Sequence, residues 1–348
     1  MNQSSIINHQ SSVILVTGAT GILGRVIVLE LLKRGKTVRA AKRTSSNIEE
    51  VKHSFQFYTE NPKEYFEKIN WIDVDFRDLD SIKLALEGVS EVYHCAAKVS
   101  FHPDDNQEML KCNIKFTENL LYACENSSVK KFLFVSSIAV LDNVNEQGIL
   151  DEDSNFNPKE NHSDYALSKH FAEMEVWRAS AEGLNTIIVN PGVIVGSGNW
   201  KNSSGKLIGE LLNNKFTFSG GSAYVDVRDA AQISIDLMEK NAFGERFILI
   251  SESKSYSETA NFLREKVGKS KVKILPIWIL KIGVVLNFFL GWLIKPLKML
   301  NSVNVKSVSY KSEISNAKIL NTLNFKFIPV FESLNFHLKN YLKDHTSK

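Results

Sequence analysis

The segment Val13–Gly24 reads VILVTGATGILG. Its first four residues are apolar and mostly β-branched, which is typical of a buried strand. Three glycines follow with the spacing G-x-x-G-x-x-G. Residues 25–34 then place apolar side chains at helical spacing and stop before Gly35. This pattern predicts a helix that ends on a glycine cap.

A strand, a glycine turn and a helix in this order predict a dinucleotide-binding unit. Gly18 and Gly21 allow the backbone to approach a pyrophosphate, and Gly24 allows the helix to pack closely on the sheet. A tight turn that binds nothing is the alternative interpretation. The predicted cofactor contacts in this turn are Gly18, Thr20, Gly21, Ile22, Leu23 and Gly24.

The next predicted strand, residues 37–41, is followed by Lys42-Arg43-Thr44-Ser45. An NAD enzyme usually has an acidic residue here, which hydrogen-bonds the adenosine ribose. A guanidinium can instead bind a 2′-phosphate through two hydrogen bonds. The sequence therefore favours NADP(H), with Arg43 as the leading phosphate ligand and Lys42 or Ser45 in support. Solvated charges after a strand are the alternative.

A tyrosine and a lysine stand four residues apart in Tyr165-Ala166-Leu167-Ser168-Lys169. On a helix they share one face, so the Lys169 ammonium can lie near the Tyr165 phenol. A nearby cation favours the ionised phenol and lowers its pKa. The spacing predicts that Tyr165 exchanges protons at neutral pH. A surface pair on an amphipathic helix is the alternative.

With these motifs the chain resembles an extended short-chain dehydrogenase/reductase of the NAD-dependent epimerase/dehydratase family, from about residue 12 to residue 342. Asp75-Phe76 resembles the family's adenine-contacting turn, and Ala96-Ala97 ends a strand that lines the cofactor. Asn113 matches the family's helix asparagine. Phe132-Leu133-Phe134-Val135-Ser136-Ser137 resembles the strand that carries the catalytic serine, which places that serine at Ser137.

The resemblance implies a role for each catalytic residue. Tyr165 would be the acid/base, Ser137 would hold the substrate oxygen, and Lys169 would bind the nicotinamide ribose and lower the pKa of Tyr165. Asn113 would position a water for proton supply. Pro191 and Val193, in Asn190-Pro191-Gly192-Val193, would contact the nicotinamide; a simple turn that ends a strand is the alternative there.

Other positions separate the subfamilies. Related dehydratases have an acidic pair directly after the catalytic hydroxyl, where this chain has Ile138 and Ala139. Sugar-nucleotide epimerases commonly have an arginine at the position of Ser222. Instead, residues 190–196 and 224–229 are similar to dihydroflavonol reductases, cinnamoyl reductases and 3β-hydroxysteroid dehydrogenases, which act on hydrophobic carbonyl or hydroxyl substrates.

Strands that alternate with helices predict an α/β fold, a Rossmann-type doubly wound parallel sheet with a smaller C-terminal substrate-binding lobe. Residues 12–190 would form the NADP(H)-binding domain, and residues 222–250 would return to it. Residues 191–221 and 251–348 would form the lobe. Asp229 is expected to cap a helix that runs to Glu239.

Composition is that of an ordinary globular protein, with 348 residues, 43% hydrophobic and 23% charged. The three cysteines, Cys95, Cys112 and Cys124, lack metal-ligand spacing, so no metal site is expected. Residues 1–12 are polar, and no signal peptide is predicted. The net charge is +3, and the sequence contains no recognised nucleic-acid-binding motif. A cytoplasmic enzyme that does not bind nucleic acid is expected.

Residues 266–312 contain nine lysines and no acidic residue. Their longest uncharged run, Ile282–Ile294, has 13 residues, whereas about 20 are needed to span a bilayer. A basic apolar segment with Trp278 and Trp292 fits a helix that lies in a membrane interface. A lid that packs on the substrate pocket is the alternative, and the two are compatible if the substrate is a lipid.

Taken together, the sequence predicts an NADP(H)-dependent carbonyl reductase or alcohol dehydrogenase. Its substrate would be hydrophobic and steroid-like, flavonoid-like or lipidic. The alternatives are an NAD-dependent sugar-nucleotide epimerase and a non-catalytic NADP(H)-sensing protein. A homodimer and peripheral contact with the inner face of a membrane are compatible with this prediction.

Overall fold

The computed structural model describes residues 12–200, 203–290 and 294–346. Trp292 and residues 1–11 lie outside the described residues. The strands are β1 Val13–Thr17, β2 Thr37–Lys42, β3 Asn70–Asp73, β4 Val89–His94, β5 Lys131–Val135, β6 Asn185–Pro191, β7 Val193–Val195, β8 Phe216–Thr217, β9 Gly221–Asp226, β10 Glu245–Leu249, β11 Glu252–Ser255 and β12 Lys273–Ile274.

The α-helices are α1 Ile22–Lys33, α2 Ile48–Phe55, α3 Pro62–Glu67, α4 Leu79–Leu86, α5 Asn106–Leu110, α6 Phe116–Glu125, α7 Asp164–Ala181, α8 Leu207–Asn213, α9 Val227–Lys240, α10 Tyr256–Lys266, α11 Ile277–Leu290, α12 Ser302–Ser309, α13 Ala317–Leu323 and α14 Val330–Thr346. A π-helical turn, Lys111–Lys115, joins α5 to α6. Short 3-10 helices lie at Pro103–Asp105, Ile138–Val140, Ser203–Lys206 and Lys295–Met299.

Seven of the described strands form one sheet in the order β10-β6-β5-β4-β1-β2-β3. Every pair in this sheet is parallel. The strand order reverses between β1 and β4, and in such sheets ligands bind at that point, beyond the carboxyl ends of the strands. The predicted Rossmann-type fold is confirmed.

The two faces of this sheet bury separate apolar clusters. One face packs against α1 and α9, with Val26, Ile27, Ile233 and Leu237 fully buried. The other face packs against α4, α6 and α7. A parallel sheet covered by helices on both faces requires strands that are apolar throughout, which explains the run at residues 13–16.

A smaller lobe is built on the sheet of β7, β9 and β11. Its core joins Val195, Tyr224, Leu263, Leu334 and Leu338, so that α10 and α14 pack against these strands. The remaining described strands, β8 and β12, pair with each other. This lobe lies beside the carboxyl ends of β6 and β10.

Three details differ from the sequence-based boundaries. Residues 221–226 form β9 of the small sheet, so the chain returns to the large sheet through α9 and β10 and not from residue 222. The cap of α9 is Asp226, whose carboxylate accepts the Arg228 N–H at 2.8 Å, and Asp229 lies within the first turn. In the expected lobe, α13 contacts β10 and α9, and Ile319 is buried in the core of the large sheet.

The lysine-rich segment is divided between two environments. Its helix α11 is mostly exposed and buries only Leu280 and Gly283. The 3-10 helix after it and α12 instead lie against the loop that follows β4, since Lys298 forms an ion pair with Asp104 at 2.6 Å. No helix within the described residues has the length and apolarity to cross a membrane.

Candidate active site

The glycine turn connects β1 to α1 at the point where the strand order reverses. Gly18 has φ +64°, which glycine tolerates and other residues rarely adopt. A Cβ on Gly24 would lie 2.3 Å from the Gly18 carbonyl oxygen, so only glycine permits this close packing. Gly21 precedes α1 without a side-chain cap, which leaves the first N–H groups of the helix available to an anion.

Arg25 fixes this turn from inside the protein, and the sequence-based prediction did not identify it. It is buried on α1, and its guanidinium donates to the carbonyl of Thr20, to Gly21 at 3.1 Å and to Gly198 at 2.7 Å. Glu50 forms its ion pair at 3.2 Å. These contacts tie the turn to the segment after β7. The one sequence signal that could have indicated this role is the presence of an arginine on an otherwise apolar face of the helix.

The adenosine end of the site lies after β2 and β3. Lys42 forms an ion pair with Asp73 at 2.6 Å, whereas the guanidinium of Arg43 is exposed and has no hydrogen bond or ion pair within the described residues. Hydrogen bonds from Arg77 hold the pKa of Asp75 at about 2. The Phe76 carbonyl accepts from Asn119 at 2.8 Å. Of the two predicted phosphate ligands, Arg43 is therefore the one not already paired.

The end of β4 lies directly beside the glycine turn. The Ala96 N–H donates to Thr17 Oγ1 at 3.3 Å, and the same hydroxyl contacts His94 Nδ1 at 2.7 Å. The other His94 nitrogen lies 2.9 Å from Thr117 Oγ1 on α6. Burial lowers the pKa of His94 to about 3, so this ring is neutral and structural. Ala96 and the more exposed Ala97 thus line the predicted cofactor groove.

Ser137 and Tyr165 meet at the carboxyl end of β5. Ser137 follows the strand, is buried, and its Oγ accepts the Ala139 N–H at 3.1 Å. Tyr165 lies in the first turn of α7, which Ser163 caps by accepting the Ala166 N–H at 3.2 Å. The Ser137 hydroxyl lies close enough to the Tyr165 phenol to act on its pKa, which it lowers. Two hydroxyls are thus placed together, as acid catalysis on a carbonyl oxygen requires.

Lys169 lies one helical turn after Tyr165 and is buried. Its ammonium donates to the Val135 carbonyl at 2.8 Å and lies 4.9 Å from the centre of the Phe134 ring. Burial lowers its pKa to about 8. The pKa of Tyr165 is raised, because burial outweighs the opposite effect of Ser137. Lys169 is not among the causes of this shift, and its lowering of the Tyr165 pKa stays a prediction.

The side-chain amide of Asn113 connects the loop after β4 to α7 through hydrogen bonds. Its amide donates to the Lys98 carbonyl at 2.9 Å and to Ser168 Oγ at 2.9 Å, and its oxygen accepts the Lys98 N–H at 2.8 Å. It lies in the π-helical turn, a geometry that occurs often at functional sites. Both amide donors are thus engaged, and a role in positioning water stays a prediction.

Pro191 and Val193 flank the short link between β6 and β7. The Gly192 N–H between them donates to the Leu249 carbonyl at 3.1 Å. A Cβ on Gly192 would lie 2.4 Å from the Ala223 carbonyl oxygen, so the backbone of this link is packed against β9. The link therefore joins the two sheets at the edge where the nicotinamide end of the cofactor is predicted.

A cavity of about 140 Å³ lies beside the first turn of α7. The Phe101 ring, which contacts the Tyr165 ring at 5.7 Å, forms part of its wall. Asn301, Val303 and Asn304 also line this cavity. Part of the lysine-rich segment therefore lies beside the first turn of α7, and its role as a lid stays a prediction.

A serine, a histidine and an aspartate also meet in the small lobe. Ser197 Oγ lies 2.7 Å from His337 Nδ1, and His337 Nε2 lies 3.2 Å from the Asp226 carboxylate. All three are at most 1% exposed, so no substrate can reach the hydroxyl. This cluster fastens α14 to β9. Within the described residues, no group of His, Cys, Asp or Glu side chains could hold a metal ion.

The glycine turn fits a dinucleotide. The space occupied by a Cβ at Gly18 or Gly24 is taken by backbone, and the uncapped end of α1 presents N–H groups where a pyrophosphate carries negative charge. Ser137, Tyr165 and Lys169 lie at the same edge of the sheet, beyond β5 and beside the end of β4. The arrangement places the Tyr165 hydroxyl at the same edge of the sheet as the glycine turn.

The chain is similar to several known proteins. Sterol demethylase protein B of Methylococcus capsulatus is 30% identical over 263 residues, which cover 75% of this chain and 76% of that protein. The bifunctional dihydroflavonol 4-reductase/flavanone 4-reductase of Malus domestica is 28% identical over 272 residues, 74% of this chain and 77% of that protein. UDP-glucose 4-epimerase of Thermus thermophilus has the same fold, with a TM-score of 0.71 at 20% identity, over 94% of this chain and 98% of that one.

Residues 14–249, about two thirds of the chain, match the NAD dependent epimerase/dehydratase family. The chain therefore belongs to this family and is an NAD(P)-dependent oxidoreductase of the extended short-chain dehydrogenase/reductase type.

Proposed function

We propose that this enzyme is an NADP(H)-dependent reductase of carbonyl groups on a hydrophobic substrate, and that it works at a membrane surface. The observation that carries the reaction is that Ser137 and Tyr165 meet at the carboxyl end of β5, with Lys169 buried one turn away. The bound cofactor would supply hydride. Tyr165 would give its proton to the carbonyl oxygen, and Ser137 would hold that oxygen in place.

The choice of NADP(H) rests on Arg43. Its guanidinium follows β2, where the adenosine ribose lies in this fold, and it has no ion pair within the described residues. A 2′-phosphate would provide the missing partner through charge-assisted hydrogen bonds. Lys42 contributes less, because Asp73 already neutralises its ammonium at 2.6 Å.

The names of the relatives support a hydrophobic substrate. They include a sterol demethylase protein, a dihydroflavonol reductase and cinnamoyl-CoA reductases. Ser222, where epimerases commonly have an arginine, lies in β9 opposite Lys254. A non-catalytic sensor has no use for Ser137, Tyr165 and Lys169 together at one edge of the sheet. These observations favour reduction over epimerisation or sensing.

A substrate panel tests the reaction. NADPH oxidation would be followed with a steroid ketone, a flavanone, cinnamaldehyde and a UDP-sugar, each repeated with NADH. We expect oxidation of NADPH by at least one of the first three compounds and a weaker response with NADH. Interconversion of UDP-sugars without net cofactor oxidation would establish the epimerase instead, and tight NADPH binding without turnover would establish the sensor.

The membrane part of the proposal rests on the outer face of α11. Trp278, Ile282, Val285 and Phe289 follow one another at helical spacing and are 50–63% exposed. Next to them Phe288 is 83% exposed. A soluble protein rarely exposes so many large apolar side chains on one helix. This stripe would lie in the interfacial region of a bilayer.

Charge identifies the partner as an anionic bilayer. Lys271, Lys273 and Lys281 flank the stripe, are exposed, and form no ion pair within the described residues. Residues 266–312 contain no acidic side chain to oppose them. Each lysine near an anionic surface contributes about 1 kcal/mol, so the three together are worth about a hundredfold in partitioning.

Sedimentation with vesicles tests this docking. The protein should sediment with vesicles of phosphatidylcholine and phosphatidylglycerol at low salt and be released as ionic strength rises. Replacing Phe288 and Phe289 by Ser, or the three lysines by Glu, should keep it in the supernatant. Leu84→Ser, at an exposed position of α4, is the matched control and should sediment normally. Failure of the wild type to sediment, together with a dimer in solution that the Phe288/Phe289 variant lacks, would assign the stripe to a second copy of the chain.

A further inference from the structure

Glu173 lies on α7, one turn after Lys169 and two turns after Tyr165, and its side chain is only 4% exposed. Three groups donate to its carboxylate. Ser136 Oγ lies 2.7 Å from Oε2, and Asn190 Nδ2 lies 3.2 Å from the same oxygen. The Arg246 guanidinium donates to Oε1 at 3.2 Å. The family motifs in the sequence assign none of these contacts a role.

Both groups that donate to Oε2 are also connected to the backbone of Ser137. Ser136 is its chain neighbour, and its N–H donates to the Val189 carbonyl at 2.8 Å. Asn190 Nδ2, besides its contact with Glu173, donates to the Ser137 carbonyl at 3.1 Å. Through these two contacts the carboxylate holds the backbone around Ser137.

Arg246 keeps this carboxylate in place from β10. Its guanidinium also donates to the Glu152 carbonyl at 2.6 Å and to the Ser154 carbonyl at 2.8 Å, so its position is fixed by the loop before α7. A buried carboxylate is retained only where donors of this kind satisfy it. The carboxylate is therefore held by three donors and has little freedom to move.

Glu173 is also the acidic group near Lys169. The titratable groups around that ammonium are His94 and Cys95 at the end of β4, Glu173 on α7, and Arg246 beyond Glu173. Burial lowers the pKa of Lys169, whereas Cys95 and Glu173 act in the opposite direction. Burial raises the pKa of Cys95 to about 12, so its thiol is neutral at physiological pH. The negative charge near Lys169 therefore comes from Glu173.

We infer that Glu173 is a positioning residue of this active site: its carboxylate fixes the Ser136–Ser137 turn and provides the negative charge behind Lys169. This inference rests on the roles proposed above for Ser137, Tyr165 and Lys169. Glu173 acts through these residues and does not touch the substrate.

Glu173→Gln is the principal test, because glutamine keeps the shape and removes the charge. A displacement of the order of 1 Å in a catalytic group can lower the rate about a hundredfold, so kcat with cinnamaldehyde should fall by about ten- to a hundredfold. The Kd of NADPH should change by less than about twofold. The alkaline limb of the kcat profile should move to lower pH, because the Lys169 ammonium loses its nearby negative charge.

Two comparison variants separate charge from geometry. Glu173→Asp keeps the charge but shortens the side chain, so kcat should fall while the alkaline limb stays close to the wild-type position. Glu175→Gln is the matched control on the same helix, since Glu175 pairs with Arg178 at 2.9 Å on the surface. It should leave kcat and the pH profile unchanged. If Glu173→Gln does not fold, Ser136→Ala removes one donor and should lower kcat without moving the limb.

An NMR titration of ε-carbon-labelled lysine, with Lys169 assigned by the Lys169→Arg variant, gives a readout that needs no turnover. In Glu173→Gln the titration midpoint of Lys169 should be lower than in the wild type. In Glu173→Asp, the charged comparison, this midpoint should be unchanged. A wild-type midpoint in Glu173→Gln would overturn the inference, and so would wild-type kcat in that variant. If the wild type reduces no carbonyl compound, the proposed function alone fails, and the titration still decides the role of Glu173.

Discussion

Replacing Gly18 by Ala tests the cofactor cradle, and Gly35→Ala is its matched control. Both glycines have a positive φ, +64° and +71°. An alanine in this region costs about 1–2 kcal/mol in either position. At Gly35 a Cβ meets nothing within 4 Å, whereas at Gly18 it meets the backbone of Cys95 and Ala96 at 2.6–2.8 Å.

The difference in unfolding free energy between the two variants measures the steric overlap of the added Cβ with the backbone at Gly18. The Ala96 nitrogen must move by about 0.8 Å from 2.6 Å to reach an ordinary contact of 3.4 Å. Because the obstacle is backbone and not a flexible side chain, the overlap should cost a further ~1–3 kcal/mol. Gly18→Ala should therefore lose about 2–5 kcal/mol of unfolding free energy, and Gly35→Ala about 1–2 kcal/mol.

The same displacement should weaken cofactor binding. A shift of 0.8 Å takes backbone N–H groups out of the 2.7–3.2 Å range of a hydrogen bond. Losing one bond to a charged group costs about 1.5–3 kcal/mol, which is about tenfold or more in Kd. Urea unfolding and NADPH fluorescence titration measure the two effects. Equal losses of stability in the two variants, with unchanged NADPH affinity in Gly18→Ala, would show that the glycine turn does not form the cofactor site.

Two further predictions concern charge. Arg43→Ala should raise the Kd of NADPH about tenfold or more while leaving NADH binding nearly unchanged, because only NADPH has the 2′-phosphate; equal wild-type Kd values for the two cofactors would contradict this. His94 is neutral in the folded protein, with a pKa near 3 against 6.5 in the unfolded chain. Its contribution to stability is therefore lost as pH falls below 6.5, by about 1.4 kcal/mol per pH unit. Urea unfolding of wild type and His94→Gln between pH 7 and pH 5 should show a smaller pH dependence in the variant, and identical pH dependences would exclude this role.

Local patterns were sufficient to predict the nucleotide-binding half. Strand β1, the turn at Gly18 and helix α1 are set by neighbouring residues, so they can be predicted from a short window of sequence. Ser137 and Tyr165 were predicted as catalytic residues from motif resemblance. That they lie close together depends on β5 and α7 having the positions that the fold dictates.

Long-range contacts set the features that could not be predicted. Arg25 looks like an ordinary charged residue in α1, and only the approach of Gly198, 173 residues away, makes it part of the turn. Glu173 acquires its role from Arg246 in the same way. Asp226 and Asp229 both suit a helix cap, and the pairing of β9 decides that α9 begins after Asp226.

The exposed face of α11 shows where amphipathic patterns mislead. Apolar residues at helical spacing usually mark the buried face of a helix. Here the stripe that contains Trp278 and Phe289 is exposed, and the buried side is formed by Leu280 and Gly283. The sequence indicated that this segment is unusual in composition, but it did not predict which face of α11 would be buried.

Tyr165→Phe removes the hydroxyl that we propose exchanges the proton in the reductase reaction. With the carbonyl compound that the wild type reduces fastest, kcat should fall by about 10²–10⁴, the usual contribution of a general acid, while the Kd of NADPH stays within about twofold. Tyr122→Phe, at an exposed tyrosine of α6, should retain full activity. A Tyr165→Phe enzyme that keeps wild-type kcat would contradict the account.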